Sequence, residues 1–174
     1  MNVTVLLFDD FETLDVFGPV ELFGRRKDSY PIKFVSLNGG LVSNNHGVST
    51  PTLKLADCLN DIELFLIPGG YGTRKEVNND ALIALIRQIA SSCQYVLTVC
   101  TGTSLLAKTG LLDGKHATTN KIAFKWVMSV GEKVHWNEKA RWVKDGKYYT
   151  SSGVTAGMDM TLGFLAEREG IEFA

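Results

Sequence analysis

Short apolar runs that alternate with segments of helical spacing constrain the fold of this 174-residue chain more than any other feature. The runs occupy residues 3–8, 32–37, 64–67 and 95–99. Between them, apolar residues recur three or four positions apart, as at Val16, Val20 and Phe23, and this is the spacing of one helix face. The alternation predicts an α/β fold with a mostly parallel sheet, helices on both faces, and ligands at the carboxyl ends of the strands.

The composition fits a single domain over residues 1–174, because 45% of the chain is hydrophobic and needs no disulfide or metal to form a core. The formal charge of −1 comes from 18 basic and 19 acidic residues, so we expect a small-molecule ligand and neither a nucleic-acid nor a membrane partner. The first residues lack a basic leader region and a cleavage site, which favours a cytoplasmic protein.

Cys100 follows the apolar run at residues 95–99 and precedes Thr101 and a helical segment. This order of strand, sharp turn and helix places the thiol beside the first free amides of the helix. Those amides carry partial positive charge, so the sequence predicts a nucleophilic Cys100 with a low pKa. Cys58 and Cys93 lack this setting, and three cysteines without a CxxC spacing predict neither a disulfide framework nor a zinc site.

The run at residues 64–67 is followed by a Pro-Gly-Gly sequence that suits the same site. Gly69 and Gly70 allow a tight turn with exposed amides, and an amide aimed at a developing negative oxygen forms half of an oxyanion hole. The amide of Thr101 would form the other half. An ordinary turn is the alternative interpretation.

Asp15 lies among apolar residues after the first predicted strand, where it is either an exposed helix cap or a buried partner of Cys100. Burial beside a thiolate would raise the pKa of Asp15, so that the protonated carboxyl donates a hydrogen bond or a proton. Glu12 is the competing acid in this segment.

No histidine has an evident place beside Cys100. His46 lies in a polar loop, His116 precedes a short strand, and His135 alternates with apolar neighbours. These settings are typical of surface or packing histidines. A hydrolase of the Cys-His-Asp kind would therefore lack its general base.

Capping and turn signals predict three further elements. Asp80 is expected to cap a helix that ends near residue 91. The pair Asp145 and Gly146 indicates a two-residue hairpin turn. Residues 156–168 indicate a last helix that covers the sheet.

Several segments together resemble the ThiJ/PfpI superfamily, a branch of the class I glutamine amidotransferase-like fold. They cover residues 14–23, 61–72, 99–102, 110–119 and 150–159. Asp15 is the acid before the Gly-Pro pair. An aspartate at this position resembles the branch of the superfamily that holds isocyanide hydratases and the amidase-like sensing domains of AraC-type regulators. The resemblance implies a flavodoxin-like three-layer sandwich with a nucleophile elbow at Cys100.

The resemblance also implies roles for the site residues. Cys100 is then the nucleophile, Asp15 its acidic partner, and the amides of Gly70 and Thr101 bind anions, with the Thr101 hydroxyl near the substrate. Many relatives carry histidine where this chain has Asn120, which argues against peptidase or amidase chemistry. The superfamily habit implies a homodimer, and since no helix-turn-helix follows, we expect no direct DNA binding.

The leading hypothesis is a cysteine-dependent hydratase or hydrolase of a small carbon–nitrogen or carbonyl compound, and isocyanide hydration is its most concrete version. The Cys100 thiolate attacks the terminal carbon, Asp15 supplies a proton, and no metal or organic cofactor is required. One alternative is a non-catalytic redox sensor or small-ligand binder that uses a low-pKa Cys100. Another is glyoxalase-like, peptidase or amidase activity.

Overall fold

A computed structural model describes residues 1–172 of the chain. The strands, in chain order, are β1 (Val3–Leu6), β2 (Ile32–Ser36), β3 (Gly40–Ser43), β4 (Ser49–Lys54), β5 (Leu64–Ile67), β6 (Tyr95–Val99), β7 (His116–Ala117), β8 (His135–Trp136), β9 (Trp142–Asp145) and β10 (Tyr148–Ser151). The α-helices are α1 (Thr13–Gly24), α2 (Thr73–Glu76), α3 (Asp80–Ser92), α4 (Gly102–Lys108), α5 (Phe124–Val130) and α6 (Thr155–Glu169).

The main sheet of the described residues has eight strands in the order β3-β4-β2-β1-β5-β6-β10-β9. All neighbours from β4 to β10 run parallel, and an antiparallel strand lies at each edge. A separate parallel pair is formed by β7 and β8. The predicted mostly parallel sheet is confirmed. The antiparallel edges have mostly exposed or half-buried residues, so they lack the apolar runs that identified the central strands.

The central strands are apolar because both faces of the sheet are covered. Every residue of β1 and β5 is buried. Helix α1 packs against α6, while α3 and α5 pack against α4. These two groups of helices enclose the sheet, which confirms the flavodoxin-like three-layer arrangement. No helix within residues 1–172 is both long enough and apolar enough to cross a membrane.

Two local predictions need correction. The cap of α3 is Asn79, whose side-chain oxygen accepts a hydrogen bond from the Leu82 amide at 3.3 Å, so Asp80 is the first helical residue instead. In the hairpin of β9 and β10, Asp145 pairs with Tyr148, which places the two-residue turn one position later than expected. The last helix, α6, confirms the prediction for residues 156–168.

Four parallel strands direct their carboxyl ends to one place. The segments that follow β1, β5 and β6 carry the residues that the sequence singled out, and the segment after β10 joins them. This convergence is what a parallel sheet provides for a binding site.

Candidate active site

Cys100 occupies a sharp turn between β6 and α4. Its φ of +56° lies in the left-handed region, which is unfavourable for a residue with a side chain. Two hydrogen bonds hold this backbone: the Cys100 amide donates to the Ser151 carbonyl at 3.0 Å, and the Cys100 carbonyl accepts from the Thr119 hydroxyl at 2.7 Å. The surrounding structure therefore fixes the nucleophile elbow that was expected at Cys100.

Glycines allow the chain to approach Cys100 closely. A Cβ atom at Gly69 would lie 2.8 Å from the Cys100 Cβ, and one at Gly153 would lie 3.1 Å from the Cys100 Sγ. Gly153 also has a φ of +118°, which side-chain-bearing residues rarely adopt. Both positions therefore require glycine if the thiol is to keep its place.

Asp15 lies on α1 and is fully buried, so it is not an exposed helix cap. Its Oδ2 accepts a hydrogen bond from the Gly69 amide at 3.1 Å, and its Oδ1 accepts one from the Val154 amide at 3.0 Å. The carboxyl also lies beside Cys100: a Cβ atom at Gly69 would be 2.8 Å from both Asp15 Oδ2 and Cys100 Cβ, and the two side chains shift each other's pKa. Burial is the main cause that raises the pKa of Asp15 to about 6, in the predicted direction. A carboxyl with this pKa is mostly ionised at pH 7, so the predicted protonated form is the minor one there.

The Gly69 amide does not have the anion-binding position that the sequence suggested. It is used by the Asp15 carboxylate, and Gly69 does not line the cavity at Cys100. Its contribution is to hold Asp15 beside the thiol. The first glycine of the Pro-Gly-Gly turn thus binds the carboxylate of Asp15 and leaves no free amide for a ligand.

The predicted low pKa of Cys100 is wrong. Burial, followed by the nearby charge of Asp15, raises the pKa of the Cys100 thiol to about 12. Hydrogen bonds from the Thr101 amide, the Asn120 side chain and the Thr101 hydroxyl act in the opposite direction and stabilise the thiolate. The amide at the start of α4 lowers the pKa of Cys100, as expected. Loss of water around the sulfur raises this pKa by more.

The Thr101 hydroxyl is held by two donors. Its Oγ1 accepts hydrogen bonds from the Gly70 amide and from the Thr73 hydroxyl, each at 3.1 Å. The same hydroxyl donates a hydrogen bond to the Gly70 carbonyl at 3.3 Å. Because the Gly70 amide is occupied by this hydroxyl, the expected pair of free backbone amides is reduced to the Thr101 amide.

Asn120 supplies a second side-chain donor to the sulfur. Its Oδ1 accepts a hydrogen bond from the Ala123 amide at 2.9 Å, which leaves its NH₂ group to face Cys100. A side-chain amide donates hydrogen bonds but does not take up a proton near neutral pH. Asn120 therefore stabilises negative charge on the sulfur, and proton transfer is left to Asp15.

A cavity of about 240 Å³ opens at Cys100. Its lining residues are Glu12, Gly70, Tyr71, Arg74, Cys100, Thr101, Asn120, Ile122 and Ala123. Glu12 lies at the start of α1 with its carboxylate 3.8 Å from His46 Nδ1, while Asp15 is the acid that contacts Cys100. The volume suits a small organic molecule.

The three histidines of the chain do not line this cavity. His46 Nδ1 is 2.9 Å from the Thr13 hydroxyl, and the rings of His116 and His135 lie 5.2 Å apart on β7 and β8. Across residues 1–172, no group of three or more His, Cys, Asp or Glu side chains is arranged to hold a metal ion. The chemistry available at Cys100 is that of a thiol, a buried carboxyl and hydrogen-bond donors.

Comparisons with known proteins found a family model and several similar proteins. The sequence model described as the DJ-1/PfpI family matches residues 1–167. Isonitrile hydratase from Pseudomonas putida is 30% identical over 175 residues, which cover 100% of this chain and 75% of that protein.

A regulator and a solved structure are also similar. The HTH-type transcriptional regulator GbdR of Pseudomonas aeruginosa is 27% identical over 180 residues, and the match covers 99% of this chain but 48% of the regulator. The crystal structure of a ThiJ/PfpI family protein from Pseudomonas syringae superposes with a TM-score of 0.86 at 27% identity, covering 95% of this chain and 68% of that chain.

Proposed function

The chain belongs to the DJ-1/PfpI family, and from this premise we propose that it is a cysteine-dependent hydratase of small isocyanides. The observation that carries the proposal is the close pair of Cys100 and fully buried Asp15, at a cavity that no histidine lines. The similarity to isonitrile hydratase supports the choice of substrate. No step requires a metal or an organic cofactor.

The first step forms a thioimidate. The Asp15 carboxylate takes the proton of the Cys100 thiol as the sulfur attacks the terminal carbon of the isocyanide, and a sulfur–carbon bond forms. Asp15 then delivers the same proton to that carbon, which gives R–N=CH–S–Cys. Because the Thr101 amide and Asn120 hydrogen-bond to the sulfur, they stabilise its negative charge during the attack.

The second step releases a formamide. Water attacks the thioimidate carbon while Asp15 takes one of its protons and passes it to the substrate nitrogen. The carbon–sulfur bond then breaks, the remaining hydroxyl proton returns to the sulfur, and R–NH–CHO leaves. The sum is the addition of one water to one isocyanide, with Cys100 and Asp15 restored.

Ligand binding without turnover is the second candidate, and the similarity to a transcriptional regulator favours it. Oxidant sensing is less well supported, because a thiol whose pKa is raised to about 12 is rarely a thiolate at neutral pH. Peptidase or amidase chemistry would lack a histidine base in the cavity. Glyoxalase-like chemistry uses the same thiol and differs in its substrate.

The test is a turnover assay with small isocyanides, methylglyoxal and short amides, in which product formation is followed by NMR. We expect isocyanides to give N-substituted formamides. Replacement of the nucleophile in Cys100→Ala, or of the proton-transfer group in Asp15→Asn, should lower the rate at least about 100-fold.

Matched controls separate chemistry from folding. Cys58→Ala removes a cysteine outside the site, and Glu21→Gln removes an exposed acid from the same helix as Asp15, so both should retain wild-type rates. Full activity in Cys100→Ala would overturn the mechanism. Binding of isocyanides without any formamide would support the ligand-binding candidate instead.

A further inference from the structure

Arg74 brings a positive charge to the cavity that contains Cys100. It lies on α2 and lines the same cavity as the thiol. Its guanidinium carbon is 4.4 Å from the centre of the Trp126 ring and 5.6 Å from the centre of the Tyr71 ring. These aromatic contacts hold a flexible side chain at the cavity by cation–π attraction.

The guanidinium of Arg74 has no acidic partner. Within residues 1–172 it forms neither an ion pair nor a side-chain hydrogen bond, whereas Arg25 and Arg141 each pair with a carboxylate. Stacking uses the face of a guanidinium, so its in-plane N–H groups stay available for a ligand. The acid that lines the cavity, Glu12, lies beside His46 instead.

We propose that Arg74 binds a carboxylate on the substrate, so that the substrates of this site are small organic anions. The inference rests on the proposed function and narrows it to isocyanides that carry a carboxylate. A planar guanidinium matches a carboxylate through two parallel hydrogen bonds. The exposed apolar side chains of Tyr71 and Ile122 line the same cavity and offer contact to the carbon skeleton of such a molecule.

The lining charges favour a monoanion over a phosphate ester. Arg74 is the cation among the lining residues, and Glu12 contributes a negative charge to the same cavity. A dianion would be repelled by Glu12 without a second cation to balance it. One carboxylate is balanced by one guanidinium.

The experiment compares the alkylation of Cys100 by iodoacetate and by iodoacetamide, which differ in the carboxylate. In both reactions the sulfur displaces iodide from a CH₂ group, and the modified Cys100 peptide is quantified by mass spectrometry. We expect the ratio of the iodoacetate rate to the iodoacetamide rate to fall about tenfold in Arg74→Met. Loss of a charge-assisted hydrogen bond usually has an effect of this size. Arg74→Lys keeps the positive charge, so it should retain part of the wild-type preference for iodoacetate.

Lys75→Met is the matched control. Lys75 is the neighbouring exposed cation on α2 and does not line the Cys100 cavity, so its loss should leave the ratio unchanged. Circular dichroism checks folding, and Arg74→Gln replaces Arg74→Met if the latter does not fold. An unchanged ratio in both neutral variants, or an equal fall in Lys75→Met, overturns the assignment.

Turnover distinguishes this inference from the proposed function. With isocyanoacetate and its amide as substrates, wild type should prefer the carboxylate, and Arg74→Met should lose that preference. Hydration of both compounds without an Arg74-dependent preference would overturn the inference and leave the hydratase proposal in place. An Arg74-dependent alkylation ratio without hydration of any isocyanide would support the anion site and overturn the hydratase proposal.

Discussion

At the scale of single residues, Cys100 and Asp15 are best treated as one titrating unit. The pKa of Asp15 is raised to about 6 and that of Cys100 to about 12, so between these values the pair holds one proton. A thiol beside a carboxylate and a thiolate beside a carboxylic acid are two forms of this same state. Their ratio does not change with pH, because they contain the same number of protons.

This shared proton predicts the pH dependence of turnover. The reactive form exists only while the pair holds one proton, so kcat/KM should be flat from about pH 7 to pH 9. Below about pH 6, Asp15 binds a proton and the pair then holds two. The value of kcat/KM should therefore fall about tenfold for each further unit by which the pH is lowered. Stopped-flow rates measured with a neutral isocyanide check this profile.

Cys58→Ala should show the same pH profile as wild type, because it lies outside the pair. A rate that rises steadily from pH 7 to pH 10 would contradict the shared proton. It would indicate that a free thiolate, formed without Asp15, is the reactive species.

The sequence predicted which residues meet at the site better than it predicted their electrostatics. Cys100 and Asp15 follow recognisable strand patterns, so their convergence was predictable from the parallel order of the strands. The raised pKa of Cys100 was not, because burial depends on segments remote in the sequence. The donor role of Asn120 was also missed, although the resemblance to a known family had singled out this position after Ala-Thr-Thr.

At the scale of elements, the turn from β6 to α4 depends on its neighbours. Ser151 on β10 and Thr119 after β7 hold the Cys100 backbone by hydrogen bonds. Gly153 lies directly beside the sulfur. The elbow is therefore a joint property of three chain segments and not of the local sequence alone.

Gly153→Ala should disturb both stability and chemistry. The new methyl group would lie 3.1 Å from the Cys100 Sγ at a φ of +118°, so we expect a loss of about 1–3 kcal/mol in the free energy of unfolding. Displacement of the sulfur should also lower kcat/KM. Urea unfolding and the turnover assay measure the two effects.

Gly110→Ala is the control for backbone strain. Its φ is +80°, and no atom lies within 4 Å of the added Cβ. Gly110→Ala should lower the free energy of unfolding and leave kcat/KM unchanged. If Gly153→Ala retained full activity, the close packing around the sulfur would be irrelevant to the reaction.

The apolar pattern of the sequence predicts some elements of this fold and not others. The central strands were predictable because burial on both faces leaves continuous apolar runs. The edge strand β3 and the short pair β7 and β8 have exposed residues and only weak patterns. Helices α2 and α5, which supply Arg74 and Trp126, are 4 and 7 residues long, which is too short for an apolar pattern of helical spacing to predict them.

At the scale of the whole molecule, burial of Asp15 makes stability depend on pH. Its pKa is raised from 3.8 to about 6 on folding, so the folded state favours the protonated form. This contribution to stability is complete below pH 3.8 and is lost as the pH rises through about 6. The loss amounts to about 3 kcal/mol.

Asp15→Asn should remove this dependence. The free energy of unfolding of the variant, relative to wild type, should rise by about 2 kcal/mol between pH 4 and pH 7. Urea unfolding at several pH values measures the difference, and Glu21→Gln on the same helix should show no such change. A constant difference across this range would contradict a raised pKa for Asp15.

The two hydrogen bonds of the Asp15 carboxylate also bear on how the chain folds. Its partners are 54 and 139 positions away in sequence, at Gly69 and Val154. Contacts between such distant residues require closure of long loops, which makes them slow to form. During synthesis, Asp15 and Cys100 emerge long before Val154, so the carboxylate receives its second donor only near the end of folding. We therefore expect the pair of Cys100 and Asp15 to be among the last parts of the molecule to be completed.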